Sequence, residues 1–423
     1  DQVLLKGFTY RISGEQDKLE KFLRLQVRLR GDADSQRELA RFLMFTGRLE
    51  EAKQEFKVTM EKDSSDLGAF HHLAILERAT GNLDAAIEYA QIFNEKKQED
   101  ANGLILLGHL MIDAGDMESA RDYYEQAQLL EDPPLIPTLT LALLAVRQGE
   151  WMTARSLIDE ARSMTLTLQQ QAQVLEVEVM LEIRLGRIRR AIELTGQQLE
   201  YTRQFLRPFD QVVAYSVPVV KYGLMLNDIE LADETLRAAQ AMVQPPMDQF
   251  LSFSEAAILA RNGDFEASQA ALEEGRAAIE LFKADYLAFQ ISMTAGVIAS
   301  EQNDWVMAAR RFEEAISKVE RSILASELHT RLSLMYGACA EMHVRAGELD
   351  LAQEVLDIAF RRDASEPSLW FARSLLQQAQ GNLRMAMASV DYALAIWSDA
   401  DPEYLEYQAA LELRNELAAL TEN

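Results

Sequence analysis

A glycine recurs every 34 residues in the first part of the chain, at Gly47, Gly81, Gly115 and Gly149. Five positions after each glycine stands an alanine: Ala52, Ala86, Ala120 and Ala154. An apolar residue stands two positions after each glycine: Leu49, Leu83, Met117 and Trp151. A fixed period of this length predicts one small unit repeated in tandem, with neighbours burying each other's apolar faces.

The composition favours helices. Glycine (19 residues) and proline (9 residues) are scarce in a chain of 423 residues, and Ala, Leu, Glu, Gln and Arg are abundant. Runs of alternating β-branched residues are nearly absent. The closest is 211–220, for which a strand is the alternative to a helix kinked at Pro218. We therefore predict an all-α fold.

The repeat continues less regularly along the rest of the chain. The later turn positions are Gly186, Asn227, Gly263, Asn303, Gly347 and Gly381. Each is followed five positions on by a small residue, which preserves the pattern of the first four repeats. The two asparagines suit a left-handed turn conformation, which Asn tolerates better than other non-glycine residues.

This pattern resembles the tetratricopeptide repeat over nearly the whole chain, with about ten repeats. The resemblance implies a right-handed superhelical solenoid of antiparallel helix pairs. We expect capping helices over 1–32 and four regular 34-residue repeats plus a fifth over 33–200. Longer, less regular repeats are expected over 201–394, followed by a capping helix over 395–423.

The net charge of −26 argues against two classes of partner. A surface this acidic repels nucleic acids and anionic membranes, so we expect neither nucleic-acid binding nor direct membrane contact. The simpler interpretation of this net charge is that the acidic side chains lie on solvent-exposed helix faces and have no binding role. The single cysteine, Cys339, falls in an apolar helical pattern and is expected to be a buried thiol. Because the sequence begins at Asp1, we expect a processed product or a fragment of a longer protein.

Motifs typical of catalysis are absent from the sequence: a glycine-rich phosphate loop, GxSxG, HExxH and CxxC. We therefore predict a non-enzymatic protein with no cofactor. His71 and His72 invite a metal interpretation, but adjacent helical residues point about 100° apart and cannot chelate one ion by themselves. No metal site is predicted.

The resemblance implies that ligands lie in a concave groove formed by the first helix of each pair. The predicted groove residues are Arg37, Arg41, His71, Ile75, Arg78, Asn102, Ile105, His109, Leu139, Leu143 and Arg147. Arginine and histidine with apolar residues between them suit a protein or peptide with acidic groups or a free carboxylate. The alternative is that these positions are polar only because they are exposed.

Together these features predict a protein-interaction scaffold or adaptor. The arginine-rich, lysine-poor composition favours a bacterial protein, with a role in envelope assembly, secretion or polymer export. The periplasm is slightly favoured over the cytoplasm. The alternative function is the ligand- or peptide-sensing arm of a larger signalling or transcription protein, which the longer repeats after Gly186 resemble.

Overall fold

The computed structural model describes residues 16–97, 100–202, 212, 216–323 and 325–421, with only the backbone of 325–331 and 421 described. Every regular element in the described residues is helical, which confirms the all-α prediction. The helices before position 203 are α1 (Gln16–Arg30), α2 (Ala33–Phe45), α3 (Leu49–Lys62), α4 (Leu67–Ala79), α5 (Leu83–Lys96), α6 (Ala101–Ala114), α7 (Met117–Gln128), α8 (Leu135–Arg147), α9 (Trp151–Ser163), α10 (Leu168–Arg184) and α11 (Ile188–Thr202).

The later helices are longer on average and are interrupted by other helical turns. They are α12 (Ile229–Met242), α13 (Ser252–Arg261), α14 (Phe265–Phe282), α15 (Phe289–Glu301), α16 (Trp305–Glu320), α17 (Ala325–Arg345), α18 (Leu349–Arg362), α19 (Pro367–Ala379), α20 (Leu383–Ile396) and α21 (Leu405–Thr421). A π-helical turn, Lys221–Met225, follows Pro218 closely. Residues 216–226 are therefore not a strand, whereas 211 and 213–215 of the predicted stretch lie outside the described residues.

The turns between paired helices depend on residues that tolerate a left-handed backbone. All eight turn glycines predicted from the repeat have positive φ, and Gly115 ends α6 with φ of 81°. Asn227 and Asn303 have φ of 55° and 60°. The next helix then begins on a capping side chain, as where Asp116 accepts a hydrogen bond from the backbone amide of Ser119 at 3.0 Å. The predicted turn positions are thus confirmed.

Within a pair, small residues allow the two helices to approach closely. Ala120, Tyr124 and Ala127 of α7 are buried, with at most 1% of their surface exposed. The Tyr124 ring fits against Gly108 of α6, where an added Cβ would lie 2.2 Å from Tyr124 Cε1. The best-formed pair is therefore fixed by one large side chain lying over one glycine.

The chain forms two compact units, each made of discontinuous segments. The first comprises Asp1–Glu131, Arg276–Phe289 and Ser317–Leu328. Its core includes leucines of α1 and α2 together with Ile323, and Tyr286 packs against it. A Cβ at Gly47 would lie 2.8 Å from the Cβ of Asp285, and Lys283 forms an ion pair with Asp17. Late segments of the chain are thus part of the N-terminal unit.

The second unit comprises Asp132–Gly275, Gln290–Ile316 and His329–Asn423. One core cluster joins α8, α9 and α10, and another joins α11 to helices near the C-terminus through Trp397 and Tyr404. The backbone amide of Asp401 donates to the carbonyl of Gly186 at 3.0 Å. The boundaries predicted at 32, 200 and 394 stay predictions. No described helix combines the length and apolar character needed to cross a membrane.

Candidate binding site

Two of the predicted groove residues lie on α2 in the first unit. Arg37 donates to Asp34 and to Asp66, both at 2.5 Å, and the hydrogen bond to Asp66 raises the pKa of Arg37. The Arg41 side chain is 49% exposed and lies 3.6 Å from Glu38. At that distance the pair is a weak surface ion pair. Arg41 therefore presents its charge to solvent, whereas Arg37 is held by the chain's own carboxylates.

The next helix of the predicted groove, α4, contributes His71 and Ile75, which are both half-buried. The His71 ring packs edge-on against Phe93 with centroids 5.5 Å apart. Burial lowers the pKa of His71 to about 4, so the imidazole is neutral at pH 7. Ile75 packs against the core. His71 thus offers a ring surface rather than a positive charge.

Arg78, near the end of α4, lies largely inside the first unit with its side chain 8% exposed. Its guanidinium lies 3.7 Å from the Asp113 carboxylate and donates to the carbonyl of Ser322 at 3.3 Å. The charge of Arg78 is therefore directed to groups of this same chain.

Asn102, Ile105 and His109 follow along α6. Asn102 is exposed, and its side-chain amide donates to Asp100 at 2.6 Å. Ile105 is buried. His109 Nδ1 lies 2.8 Å from the Tyr124 hydroxyl, a hydrogen bond that ties α6 to α7. Of the predicted groove residues on this helix, Asn102 is the most open to solvent.

Three predicted groove residues belong to the second unit, all on α8. Leu139 and Arg147 are buried, and Leu143 packs against the cluster formed by α8, α9 and α10. The charge of Arg147 contributes to a lowered pKa of Asp363. Arg147 thus serves an internal carboxylate. The structure brings eight predicted residues into the first unit and these three into the second.

Sequence reasoning did not identify the most concentrated charge network of the described chain, which surrounds Arg184 at the end of α10. Its guanidinium donates to both carboxylate oxygens of Asp363 at 2.9 and 2.8 Å, and Nε lies 3.0 Å from Glu366. The Ser333 hydroxyl and the Ser365 backbone amide also donate to Asp363. All three charged side chains are at most 3% exposed. No spacing rule could have paired residues this far apart in sequence.

The pKa values of the two buried carboxylates in this network are shifted in opposite directions. The Arg184 charge and hydrogen bond outweigh burial and lower the pKa of Asp363. Burial outweighs the attraction of Arg184 at Glu366 and raises its pKa. The cluster holds the loop between α18 and α19 against α10 and α8, where Ser365 also donates to the carbonyl of Val146 at 2.8 Å. We assign it a structural role.

Among the described residues, no group of three or more His, Cys, Asp or Glu side chains is arranged to hold a metal ion. His71 and His72 contact each other edge-on, and His72 Nδ1 lies 2.6 Å from the carbonyl of Gly68. Cys339 is a buried free thiol whose pKa is raised by burial. The absence of catalysis and of cofactors stays a prediction.

A family model of the tetratricopeptide repeat matches residues 101–132, the segment that contains α6 and α7. The predicted resemblance is confirmed there, and the described helices on either side form further tandem pairs. Proteins of this fold generally mediate protein–protein contacts without catalysis. No curated protein matches the chain at a significant level of sequence similarity.

Two solved structures are similar to this chain at low sequence identity. Yeast Tom70 is similar over 100% of this chain and 96% of its own, at 11% identity and a TM-score of 0.39. A tetratricopeptide repeat protein from Parabacteroides merdae is similar over 76% of this chain and 99% of its own, at 14% identity and a TM-score of 0.32.

Proposed function

We propose that this array of tetratricopeptide-like helix pairs is a non-enzymatic scaffold that binds a segment of a partner protein on the first helices of its pairs. The single observation that carries the proposal is the tandem repetition of one helix pair, matched at 101–132 by the tetratricopeptide repeat. Such an array presents the same face of successive helices side by side, which suits recognition of an extended segment.

The eleven predicted groove residues differ in how far they are exposed to a partner. Arg41 and Asn102 are exposed in the first unit, with Arg37 and His71 half-buried. Arg78 and Arg147 lie inside their units. Arg41 is therefore the residue we expect to meet an acidic side chain or terminal carboxylate of the partner, since its charge faces solvent. The buried members shape and support the surface.

The composition also bears on the biological setting of this scaffold. We propose a bacterial role in envelope assembly, secretion or polymer export, supported by the arginine-rich, lysine-poor composition. The acidic partner segment is supported by the exposed guanidinium of Arg41.

Charge reversal tests the proposed surface. We expect Arg41→Glu to weaken capture of the partner from an extract of the natural host by about tenfold or more, because an attractive pair becomes a repulsive one. The melting temperature should stay unchanged, since the side chain is exposed. Arg28→Glu on α1 is the matched control, because Arg28 is exposed and the change in net charge is equal. Equal capture by both variants would refute the role of Arg41.

A second candidate function is the sensing arm of a larger signalling protein. It is favoured by the longer helices in the later part of the chain, with 18 residues in α14 and 21 in α17, against 12 to 14 in α2 to α7. A full-length gene that fuses this chain to a DNA-binding or catalytic domain supports this candidate. A gene that supplies a signal peptide or membrane anchor supports the scaffold.

A further inference from the structure

Three aromatic side chains from three successive helices of the second unit form a continuous contact. The ring of Trp370 on α19 lies 4.3 Å from that of Tyr392 on α20 and 5.0 Å from that of Phe360 on α18, measured between centroids. The Trp370 indole N–H donates to the carbonyl of Ala364 at 2.7 Å, which fixes the orientation of the central ring. We call Phe360, Trp370 and Tyr392 the aromatic platform.

The platform is partly open to solvent. Tyr392 is 46% exposed, and Phe360 and Trp370 are half-buried. An exposed tyrosine beside a fixed tryptophan offers a large, rigid contact area at little cost in conformational entropy. Nothing in the repeat pattern requires an exposed aromatic residue at position 392, because the small residues of the pattern already pack the helix pair.

A cation lies over this platform. The guanidinium carbon of Arg373 is 5.2 Å from the Phe360 ring centroid and 5.4 Å from that of Trp370. Within the described residues, Arg373 forms no ion pair with a carboxylate. Its positive charge is therefore available to a ligand.

The acidic residues nearest to the platform along these helices have partners within the chain. Asp357 on α18 is exposed and accepts a hydrogen bond from the Gln353 side-chain amide at 2.8 Å. Asp363 and Glu366 are buried against Arg184, and Asp391, next to Tyr392, pairs with Arg414 at 2.6 Å. Arg373 thus places a positive charge on the aromatic platform of a chain whose net charge is −26. That large negative charge repels nucleic acids, although aromatic rings with arginine also suit single strands.

We propose that the aromatic platform, with Arg373, is a second binding surface, which takes a protein segment carrying an aromatic side chain within two residues of a carboxylate. The aromatic side chain stacks on Tyr392 and Trp370, and the carboxylate pairs with a guanidinium. This surface lies in the second unit and is independent of Arg41 in the first.

The test uses the full chain and an array of immobilised synthetic nonapeptides in four classes. The classes pair an aromatic residue with an acid, an aromatic residue with an amide, an aromatic residue with a base, or an aliphatic residue with an acid. The proposal requires preferential retention on the aromatic-acidic class. Retention on no class, or equal retention on another class, overturns it, as does displacement of bound peptide by polyuridylate.

Variants locate the binding on the platform. Tyr392→Ala and Arg373→Gln should each weaken retention by about tenfold or more, since each removes one part of the recognition. Met385→Ala and Arg384→Gln, at exposed positions of the same helix α20, are the matched controls and should retain peptide like the unmodified chain. Arg41→Glu should also leave retention unchanged, so the two proposed surfaces fail or succeed separately. Equal retention by Tyr392→Ala and Met385→Ala would overturn the assignment.

Discussion

Tyr124 packs so closely against α6 that the residue facing it has no room for a side chain. At the scale of single residues, the sequence predicts that Ala120 and Ala127 are structural, because their spacing places them on one helix face. Seven positions before the turn glycine, the other three regular repeats have Ala40, Ala74 and Ala142 where this repeat has Gly108. The sequence does not reveal that this glycine accommodates a tyrosine ring. That requirement depends on the distance between two helices. The same limit applies to His109, whose partner is the Tyr124 hydroxyl.

Gly108→Ala should destabilise the protein because the Tyr124 ring, 1% exposed, has little space into which to move. We expect the free energy of unfolding to fall by about 1–3 kcal/mol, measured by chemical denaturation. Gly196 in α11 is the control, since an added Cβ there would meet no atom within 4 Å. Gly196→Ala should raise stability by about 0.5–1 kcal/mol through better helix propensity. Effects of the same sign at both glycines would contradict this account.

Glu406 should make stability depend on pH. Burial raises its pKa to about 7 from an ordinary 4.5, although the Tyr404 hydroxyl donates to it at 2.6 Å. The folded state thus binds this proton more tightly than the unfolded state, so this group's contribution to stability falls as pH rises from about 4.5 to about 7. We expect Glu406→Gln to raise the melting temperature at pH 8 and to change it little at pH 4.5.

The control for that experiment is Glu412→Gln on the same helix, α21, where the side chain is exposed. The melting temperature of Glu412→Gln should differ from that of the unmodified protein by the same amount at pH 4.5 and at pH 8. If the gain in melting temperature from Glu406→Gln is no larger at pH 8 than at pH 4.5, the proposed role of Glu406 is refuted.

At the scale of elements, helix boundaries follow from local chemistry, whereas contacts between distant elements do not. Glycine or asparagine at each turn predicts the left-handed residue that separates paired helices, since few other residues adopt that conformation. The π-helical turn Lys221–Met225 has no comparable local signal beyond the nearby Pro218. The anchoring of the α18–α19 loop by Arg184 depends on residues that meet only after the intervening helices have packed.

Arg184→Gln should strongly destabilise the protein. The substitution leaves Asp363 and Glu366 buried without their main cation, a loss worth roughly 3–5 kcal/mol in comparable buried pairs. Thermal and urea unfolding would measure it. Arg190→Gln is the control, because Arg190 is largely exposed and pairs with Glu193 on the surface, where such pairs contribute about 0–1 kcal/mol. Similar losses for both variants would show that the Arg184 network is not a structural anchor.

At the scale of the molecule, the repeat predicts an array of helix pairs, and the high negative charge argues against nucleic-acid partners. The phase of the repeat also selects which residues lie on the first helices. The repeat does not predict which of these residues already interact with other parts of the chain. Segments 276–289 and 317–328 belong to the N-terminal unit, and Ser322 of the second segment accepts a hydrogen bond from Arg78. Exposure therefore separates Arg41 from the other predicted arginines, and its open charge is the main reason to place a partner there.

Site-specific photo-crosslinking tests that placement most directly. A photoreactive benzoylphenylalanine would replace Phe45, an exposed residue one helical turn after Arg41, in one variant and Arg28 in another, so that Arg41 itself is kept. Each variant would be irradiated in an extract of the natural host. We expect position 45 to crosslink to one protein, identified by mass spectrometry, through a segment containing acidic residues or the C-terminal carboxylate, and position 28 not to do so. No crosslinked protein from position 45, or the same proteins from both positions, would contradict the placement of the partner beside Arg41.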